Sequence, residues 1–324
     1  MVRLPRFGMG ASALGNLYTA IPDATAVATV ARAIEHGIRY FDVAPHYGFG
    51  LAERRLGGAL RAAGRQDILV STKVGRLLEP TDATGMRHGF VDADPFDPIF
   101  DYGYDAVLTS HRESCERLGV ERVDILLAHD LGAETHGSGA EHHERSFVNG
   151  GYVAMRELKG AGEIDRIGIG VNEIEVCERL LDLVDLDVIL LAGRYTLLEQ
   201  RAVGLLDRCA AMGVEVIVGG PFNSGLLVES GAATRHYNYA PAPDALVARA
   251  EALAQECDTL GVPLPAAALA FPLGHPAVAC VLPGFGTPQH VDQFAFWRDQ
   301  PVPADLWSSL RAKRLLEPNV PVPA

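Results

Sequence analysis

The sequence has no run of Lys or Arg, no long apolar stretch and no closely paired cysteines. Its 324 residues carry a formal net charge of −13, which argues against nucleic acid or an anionic membrane as the main partner. No window holds the roughly 18 apolar residues of a membrane span, and the N-terminus has no apolar signal region. Five scattered cysteines are expected to be reduced, buried thiols in a cytoplasmic protein.

The sequence does contain a regular alternation of β-branched runs with longer amphipathic runs. This alternation predicts parallel strands joined by crossover helices. The predicted strands are 7–11, 38–43, 67–74, 123–130, 166–171, 187–192, 214–220 and 278–284. The predicted helices are 23–36, 51–63, 104–118, 148–161, 173–184, 197–212, 244–260 and 288–297.

Eight strand–helix pairs in one chain fit a single (β/α)8 TIM barrel over residues 1–324, with a proline-rich extended tail from about residue 317. A doubly wound sheet is the alternative, and GMGASA (8–13) does match G-x-G-x-x-A. That fingerprint requires a helix to open inside the motif, whereas the predicted helix starts about ten residues later. The long interruptions 75–103, 131–147 and 221–243 each follow a strand, so we expect them over the C-terminal mouth of the barrel.

Polar residues stand at the ends of four consecutive predicted strands. The second strand ends in Asp42, the third in Lys73, the fourth in His129 and the fifth in Asn172. Because parallel strands bring their C-terminal ends together at one mouth, these side chains are expected to meet there. Tyr47, in the glycine-rich turn after the second strand, can reach the same place.

This combination suits proton transfer at a carbonyl or hydroxyl oxygen. A buried Lys73 ammonium favours the phenolate, so we expect it to lower the pKa of Tyr47 from about 10. Asp42 would hold Lys73 charged, and His129 would orient a substrate oxygen. Tyr47 then acts as general acid or base. Hydride transfer would need an external carrier, because none of these side chains can hold a hydride.

The motifs DVAPHY, HYGFG, STK and LLAHD, in this order, resemble those of the aldo-keto reductases over nearly the whole chain. The resemblance implies a catalytic tetrad of Asp42, Tyr47, Lys73 and His129. It also implies that Asn172 binds the nicotinamide carboxamide, that GGPFNSGLL (219–227) straps the pyrophosphate and that LPGFGTPQHVDQF (282–294) holds the adenosine. The cofactor-binding candidates are Gly10, Ala11, Asn172, Phe222, Asn223, Ser224, Gly225, Leu226, Gly284, Gly286, Thr287, His290 and Gln293.

The sequence departs from the family pattern at the cofactor. Gly219 stands where the family has an aromatic residue that stacks on the nicotinamide, and Phe222 is the substitute available nearby. Gly193 and Arg194 stand where a glutamine is usual. The Lys and Arg that NADP-specific members place around the 2′-phosphate fall on Gly284 and His290, and a phosphate needs cations. We therefore expect NAD rather than NADP.

The phrases DVAPHYG and LAGRYTLLEQ resemble the branch of L-fucose (D-threo-aldose) 1-dehydrogenases, L-galactose dehydrogenases and pyridoxal 4-dehydrogenases. This branch implies oxidation of an aldose such as L-fucose or L-galactose at the anomeric carbon, with His46 and Asp130 as substrate-binding candidates. The alternatives are a pyridoxal 4-dehydrogenase, an NADPH-dependent aldehyde or ketone reductase, and a non-catalytic barrel like the potassium-channel β subunits that resemble this family. His136, His142 and His143 could bind a divalent metal, but a solvated polar loop is the favoured interpretation and no metal is expected.

Overall fold

The protein folds around one eight-stranded parallel sheet, whose strands follow one another in chain order. The computed structural model describes residues 3–64, 67–228, 236–237 and 240–323. We number the barrel strands β1 to β8 along the chain. They are Met9–Gly10, Tyr40–Asp42, Leu69–Val74, Ile125–His129, Arg166–Val171, Val188–Ala192, Glu215–Gly219 and Val278–Leu282.

The two outer strands of this sheet meet and close the barrel. Parallel bridges join Phe7 to Val281 and Gly10 to Gly284, and Gly10 N donates to the Pro283 carbonyl at 2.9 Å. The predicted (β/α)8 barrel is therefore confirmed. The doubly wound alternative is excluded, since the first helix begins at Asp23, well beyond the GMGASA motif.

Helices pack around the outside of the barrel, and all eight predicted helices are present. The first buries Ala26, Val30, Ala33 and Ile34, a spacing that places all four on one helical face. The eight helices are Asp23–Glu35, Leu51–Ala63, Tyr104–Leu118, Tyr152–Ala161, Ile174–Leu183, Val203–Met212, Asp244–Thr259 and Pro288–Arg298. Two further helices, Leu264–Ala270 and Ala304–Ala312, were not predicted.

The three segments expected as loops over the mouth contain regular structure. Residues 75–103 include an antiparallel hairpin of Arg76–Pro80 and Phe96–Phe100, which Pro80 and Pro98 obscure in the sequence because proline is unusual inside a strand. Residues 131–147 include the helices Ala133–His136 and Ala140–Ser146. In 221–243 a short strand pair, His236–Tyr237 with Ala240–Pro241, is present, while 229–235 and 238–239 lie outside the described residues.

The core has two layers, one inside the barrel and one between strands and helices. Tyr40, Leu127, Val188, Ile217 and Cys280 belong to a buried cluster of strand residues, and a larger cluster joins the strands to the surrounding helices. All five cysteines are buried free thiols, as expected. The final residues form no helix or strand up to residue 323, and Val320 is only 1% exposed, so this part of the tail packs against the rest of the protein.

In the part of the chain that the structure describes, no single helix is both long and apolar enough to cross a membrane. Asp244–Thr259 and Leu264–Gly274 reach the required length and composition only when taken together, and the chain bends by 102° between them.

Candidate active site

Lys73 lies at the centre of a hydrogen-bonded group at the C-terminal end of the barrel. Its Nζ donates to Asp42 Oδ2 at 2.7 Å, to the Val43 carbonyl at 2.9 Å and to the Tyr47 hydroxyl at 3.1 Å. These three bonds use all three hydrogens of the ammonium group. Lys73 is 1% exposed and Asp42 is 2% exposed, so the ion pair is shielded from water.

Two residues that the sequence analysis missed complete this group. The Ser71 hydroxyl donates to Asp42 Oδ1 at 2.6 Å, and the Tyr40 hydroxyl lies 2.8 Å from Ser71 Oγ. Both could have been found from the period of a strand, because residues two apart point to the same face. Tyr40 therefore shares the inner face with Asp42, and Ser71 shares it with Lys73. Both oxygens of the Asp42 carboxylate therefore accept a hydrogen bond, one from Ser71 and the other from Lys73.

Close backbone packing positions Tyr47. A Cβ atom on Gly15 would lie 2.5 Å from the Tyr47 carbonyl carbon, and one on Gly48 would lie 2.5 Å from the Gly15 carbonyl oxygen. Gly48 also has a φ of +65°, which disfavours other residues. The glycines of the HYGFG turn and of the first strand–helix connection thus allow Tyr47 to approach Lys73.

Burial has a larger effect on the pKa of Tyr47 than the positive charge of Lys73 has. Burial raises the pKa of the Tyr47 phenol, and the positive charge of Lys73 only partly opposes this rise. Burial alone would lower the pKa of Lys73, but Asp42 and Tyr47 outweigh it and raise that pKa above its ordinary value. The expectation that Lys73 brings the pKa of Tyr47 below 10 is therefore wrong for this site, because it omitted the cost of burying a phenolate.

His129 lies next to Tyr47 at the end of β4. The two ring centroids are 5.9 Å apart and the rings are nearly perpendicular, at 86°. Burial lowers the pKa of His129 far below its usual value, and the charges of Arg76 and Lys73 lower it further. Burial has the same effect on the pKa of the neighbouring His46. Both imidazoles are thus neutral near pH 7 and can each donate one hydrogen bond and accept another.

Arg76 and Asp130 form a second buried ion pair beside His129. An Arg76 Nη donates to Asp130 Oδ2 at 2.5 Å, and the same oxygen lies 3.4 Å from His129 Nε2. Tyr102 braces this corner, because its hydroxyl donates to the His129 carbonyl at 2.5 Å. Arg76 lies two residues beyond the end of β3, and Tyr102 lies in the connection before the next helix. Neither was among the candidates, because their roles depend on contacts with Asp130 and His129. Asp130 lies next to His129, as the sequence led us to expect.

The seam between β8 and β1 brings predicted cofactor residues from both ends of the chain together. Gly10 in β1 bridges to Gly284, and Ala11 N donates to the Asp42 carbonyl at 2.8 Å. Asn172 follows β5 and is partly buried. Gly10 and Ala11, at the β1 side of this seam, therefore lie next to the ion pair of Asp42 and Lys73.

The turn after β7 has an unusual backbone. Asn223, Ser224 and Gly225 have φ values of +46°, +57° and +94°, and such conformations in residues other than glycine are concentrated at functional sites. The Asn223 side chain holds this turn from within, since its Oδ1 accepts from Thr196 Oγ1 at 2.5 Å and its Nδ2 donates to the Gly193 carbonyl at 3.2 Å. Ser224 and Gly225 remain exposed, while Leu226 is buried.

Phe222, the proposed substitute for the stacking aromatic, packs against another ring. Its centroid lies 5.8 Å from that of Trp297 in an edge-on arrangement. This contact with the helix Pro288–Arg298 gives Phe222 a role in loop packing.

The helix Pro288–Arg298 presents its N-terminus beyond the end of β8. Thr287 caps it by accepting from His290 N at 3.3 Å, and Gly286 N donates to His290 Nδ1 at 3.3 Å. Gln293 lies on the exposed side of the same helix. A helix N-terminus next to an extended glycine-containing segment can bind an anionic group. The exposed turn after β7 and this helix N-terminus therefore offer backbone donors of the kind that bind phosphate groups.

The histidine-rich segment belongs to the packing beside the site. His136 and His143 stack with centroids 4.1 Å apart, and His136 Nε2 lies 3.0 Å from the Tyr102 hydroxyl. Burial lowers the pKa of His136 to about 4. His142 is exposed. Within the described ranges, no three His, Cys, Asp or Glu side chains are grouped so as to hold a metal ion.

Comparisons with known proteins agree with this geometry. The sequence profile described as Aldo/keto reductase family matches residues 6–314. A pyridoxal 4-dehydrogenase from Microbacterium luteolum is 38% identical, with 95% of this chain and 94% of that protein covered. A D-threo-aldose 1-dehydrogenase from a Pseudomonas species is 37% identical, with 97% and 95% covered. The L-galactose dehydrogenase of Arabidopsis thaliana is 31% identical, with 90% and 83% covered.

Solved structures share the architecture. The holo form of an aldo-keto reductase from Bacillus halodurans superposes with a TM-score of 0.74 at 23% identity, covering 98% of this chain and 94% of that one. A glycerol dehydrogenase from Gluconobacter oxydans also gives a TM-score of 0.74, at 20% identity, with 99% and 94% covered. At these identities the likeness establishes the fold.

Proposed function

The chain belongs to the aldo/keto reductase family, and on this basis we propose that it is an NAD-dependent dehydrogenase that oxidises an aldose at the anomeric carbon to a lactone. Members of this family use nicotinamide nucleotides, and relatives more than 30% identical include aldose and pyridoxal dehydrogenases. The observation that carries the proposal is the bond of 3.1 Å between Lys73 Nζ and the Tyr47 hydroxyl. This bond supports Tyr47 as the group that exchanges a proton with substrate.

In the proposed reaction the anomeric hydroxyl loses a proton and the anomeric carbon loses a hydride. Tyr47 accepts the proton as general base, and Lys73 stabilises the phenolate that does so. Asp42, fixed by Ser71, keeps Lys73 in place. The neutral His129 imidazole orients the anomeric oxygen by a hydrogen bond. A nicotinamide cofactor, when bound, supplies the hydride acceptor.

We propose that the cofactor lies along the seam between β8 and β1. Asn172 would bind the carboxamide, and Gly10 and Ala11 would allow close approach at the inner end. Ser224 and Gly225 would contact the pyrophosphate, with Asn223, Phe222 and Leu226 supporting that turn. Gly284, Gly286, Thr287, His290 and Gln293 would surround the adenosine. The exposed glycines and the helix N-terminus support this assignment.

The substrate assignment can be tested directly with a panel of compounds. The protein is incubated with NAD⁺ and, separately, with L-fucose, L-galactose, other aldoses and pyridoxal, and the reduced cofactor is followed by its absorbance. We expect the highest kcat/KM with an aldose of the L-galactose configuration. A preference for pyridoxal would replace the aldose proposal with the second candidate, and activity on none of these compounds would contradict both.

Pyridoxal 4-dehydrogenase is the second candidate because of both similarity and geometry. The 38% identical relative carries this activity. The wall beside Tyr47 contains the rings of His46, Phe90 and His129, which would suit a flat pyridine. The intact group around Lys73 argues against the non-catalytic barrel. A reductase of aldehydes or ketones would use the same tyrosine as an acid.

The cofactor preference gives a prediction at the adenosine end. No cation occupies positions 284 and 290, so we expect kcat/KM to be higher with NAD⁺ than with NADP⁺. A Cβ on Gly284 would have nothing closer than 3.7 Å, so a side chain fits there. The double substitution Gly284→Lys and His290→Arg should shift the preference toward NADP⁺ by roughly tenfold or more, because charge-assisted bonds to the 2′-phosphate are gained.

The matched control is Gly284→Ser with His290→Gln, which adds side chains without charge. It should leave the ratio of the two kcat/KM values within about threefold of wild type. A wild-type enzyme that prefers NADP⁺ by a factor of about ten would contradict the NAD assignment, since that preference corresponds to about 1.4 kcal/mol of binding that these residues cannot supply.

A further inference from the structure

Arg76 is a buried cation whose surroundings fix its position beside the proposed active site. It begins the hairpin strand Arg76–Pro80, just beyond the end of β3. The residue is 6% exposed. Its guanidinium lies 5.3 Å from the Phe100 ring centroid and is bonded to Asp130 Oδ2. The contacts with Phe100 and Asp130 therefore restrict the orientation of the Arg76 guanidinium.

Its partner Asp130 is held in an uncommon backbone conformation. Asp130 has a φ of +47°, and its N–H donates to the Gly170 carbonyl at 2.9 Å. Its side chain is 18% exposed, so the ion pair has one open side. Left-handed conformations of residues other than glycine are retained where the surrounding structure demands them. Here the conformation places the carboxylate between Arg76 and His129.

Three of the seven buried side-chain polar atoms that lack a hydrogen-bond partner in the described part of the chain belong to residues around the Arg76–Asp130 pair. Among the described residues, His46 Nδ1, Arg76 Nε and His129 Nδ1 are buried and have no hydrogen-bond partner. Leaving such atoms unpaired is unfavourable, and native proteins do so mainly where a ligand or a water completes the bonding. These three atoms could form hydrogen bonds with a ligand that carries several hydroxyl groups.

The balance of charge indicates which kind of substituent fits. Arg76 is offset by Asp130, and Lys73 is offset by Asp42. A phosphate or carboxylate on the substrate would be repelled by the Asp130 carboxylate. A hydroxyl group can accept a hydrogen bond from a guanidinium and donate one to a carboxylate at the same time. The pair thus matches a neutral hydroxyl group.

We infer that the pair of Arg76 and Asp130 binds the hydroxyl on the carbon next to the anomeric carbon, and that Arg76 is a specificity-determining residue. This inference rests on the proposed oxidation of an aldose. In this proposal Tyr47 and His129 bind the anomeric oxygen, and Asp130 Oδ2 lies 3.4 Å from His129 Nε2. That separation is comparable to the distance between neighbouring hydroxyl oxygens on a sugar ring.

The test compares L-fucose with 2-deoxy-L-fucose in wild type and in the double variant Arg76→Met/Asp130→Asn. The double variant avoids leaving one buried charge without its partner. We expect the wild-type ratio of kcat/KM, L-fucose over 2-deoxy-L-fucose, to exceed the ratio in the double variant by roughly 10- to 100-fold. Arg76→Lys, which keeps the charge but loses the planar fork, should give an intermediate ratio.

The control is Arg122→Met, which breaks the exposed pair of Arg122 and Asp165 at 2.7 Å on the opposite face of the barrel. It should leave the ratio unchanged. A general loss of structure lowers kcat/KM for both sugars and leaves their ratio intact, so an unchanged ratio in the double variant overturns the inference. If wild type oxidises aldoses with no preference for the 2-hydroxyl, only the inference falls. If it oxidises no aldose, the proposed function falls with it.

Discussion

Replacing Tyr47 with Phe is expected to lower kcat for aldose oxidation by about 10²- to 10⁴-fold, the usual contribution of a general acid or base. The substitution removes only the hydroxyl that accepts the proton and keeps the ring. Lys73 retains its bonds to Asp42 and to the Val43 carbonyl, so the barrel should fold and bind NAD⁺ as before. Steady-state kinetics gives kcat, and quenching of protein fluorescence gives cofactor affinity.

Tyr40→Phe is the matched control, because it removes a phenol two residues before Asp42 that contacts Ser71 and not Lys73. We expect it to reduce kcat by less than tenfold, since Ser71 keeps its bond to Asp42. If Tyr47→Phe retains more than about a tenth of wild-type kcat, the proton is accepted elsewhere and the proposed role of Tyr47 is wrong.

Replacing Lys73 with Met should be about as damaging as Tyr47→Phe and should also change the pH dependence. Burial raises the pKa of Tyr47, and Lys73 opposes that rise. Oxidation uses the phenolate, so the wild-type kcat/KM should increase with pH up to the pKa of Tyr47, which is raised above its ordinary value. Without Lys73 the pKa of Tyr47 rises further, so the remaining activity should be lower at each pH and should level off only at a higher pH than in wild type.

Two companion variants separate this electrostatic role from general damage. Lys73→Met with Asp42→Asn leaves no buried carboxylate without a partner, and it should show the same displaced profile. Lys159→Met removes a lysine that pairs with Asp187 at 2.7 Å away from the mouth, and it should keep the wild-type profile. An unshifted profile in both Lys73 variants would show that Lys73 does not act on the pKa of Tyr47.

Much of the fold and of the candidate tetrad could be predicted because both depend on short-range patterns. The alternation of apolar runs predicted all eight barrel strands and the eight helices between and after them. The polar residue after each strand then had to lie at the mouth, because parallel strands share one direction. Asp42, Lys73 and His129 follow from this rule, and Tyr47 follows from the glycine-rich turn beside it.

The rest depends on contacts between segments far apart in sequence. Arg76 meets Asp130 only because the hairpin Arg76–Pro80 with Phe96–Phe100 lies over the mouth. The pKa of Tyr47 depends on burial, which the sequence does not report residue by residue. Phe222 packs against Trp297, which lies on a helix late in the chain, and this contact could not be read from the local sequence.

The most direct test of the proposed function follows the hydride from the sugar. L-Fucose carrying deuterium at its anomeric carbon is incubated with the protein and NAD⁺, and the products are analysed by NMR and mass spectrometry. We predict that the deuterium appears on the reduced nicotinamide and that the first sugar product is a lactone. Deuterium retained on the sugar, or an open-chain product formed without reduced cofactor, would contradict oxidation at the anomeric carbon.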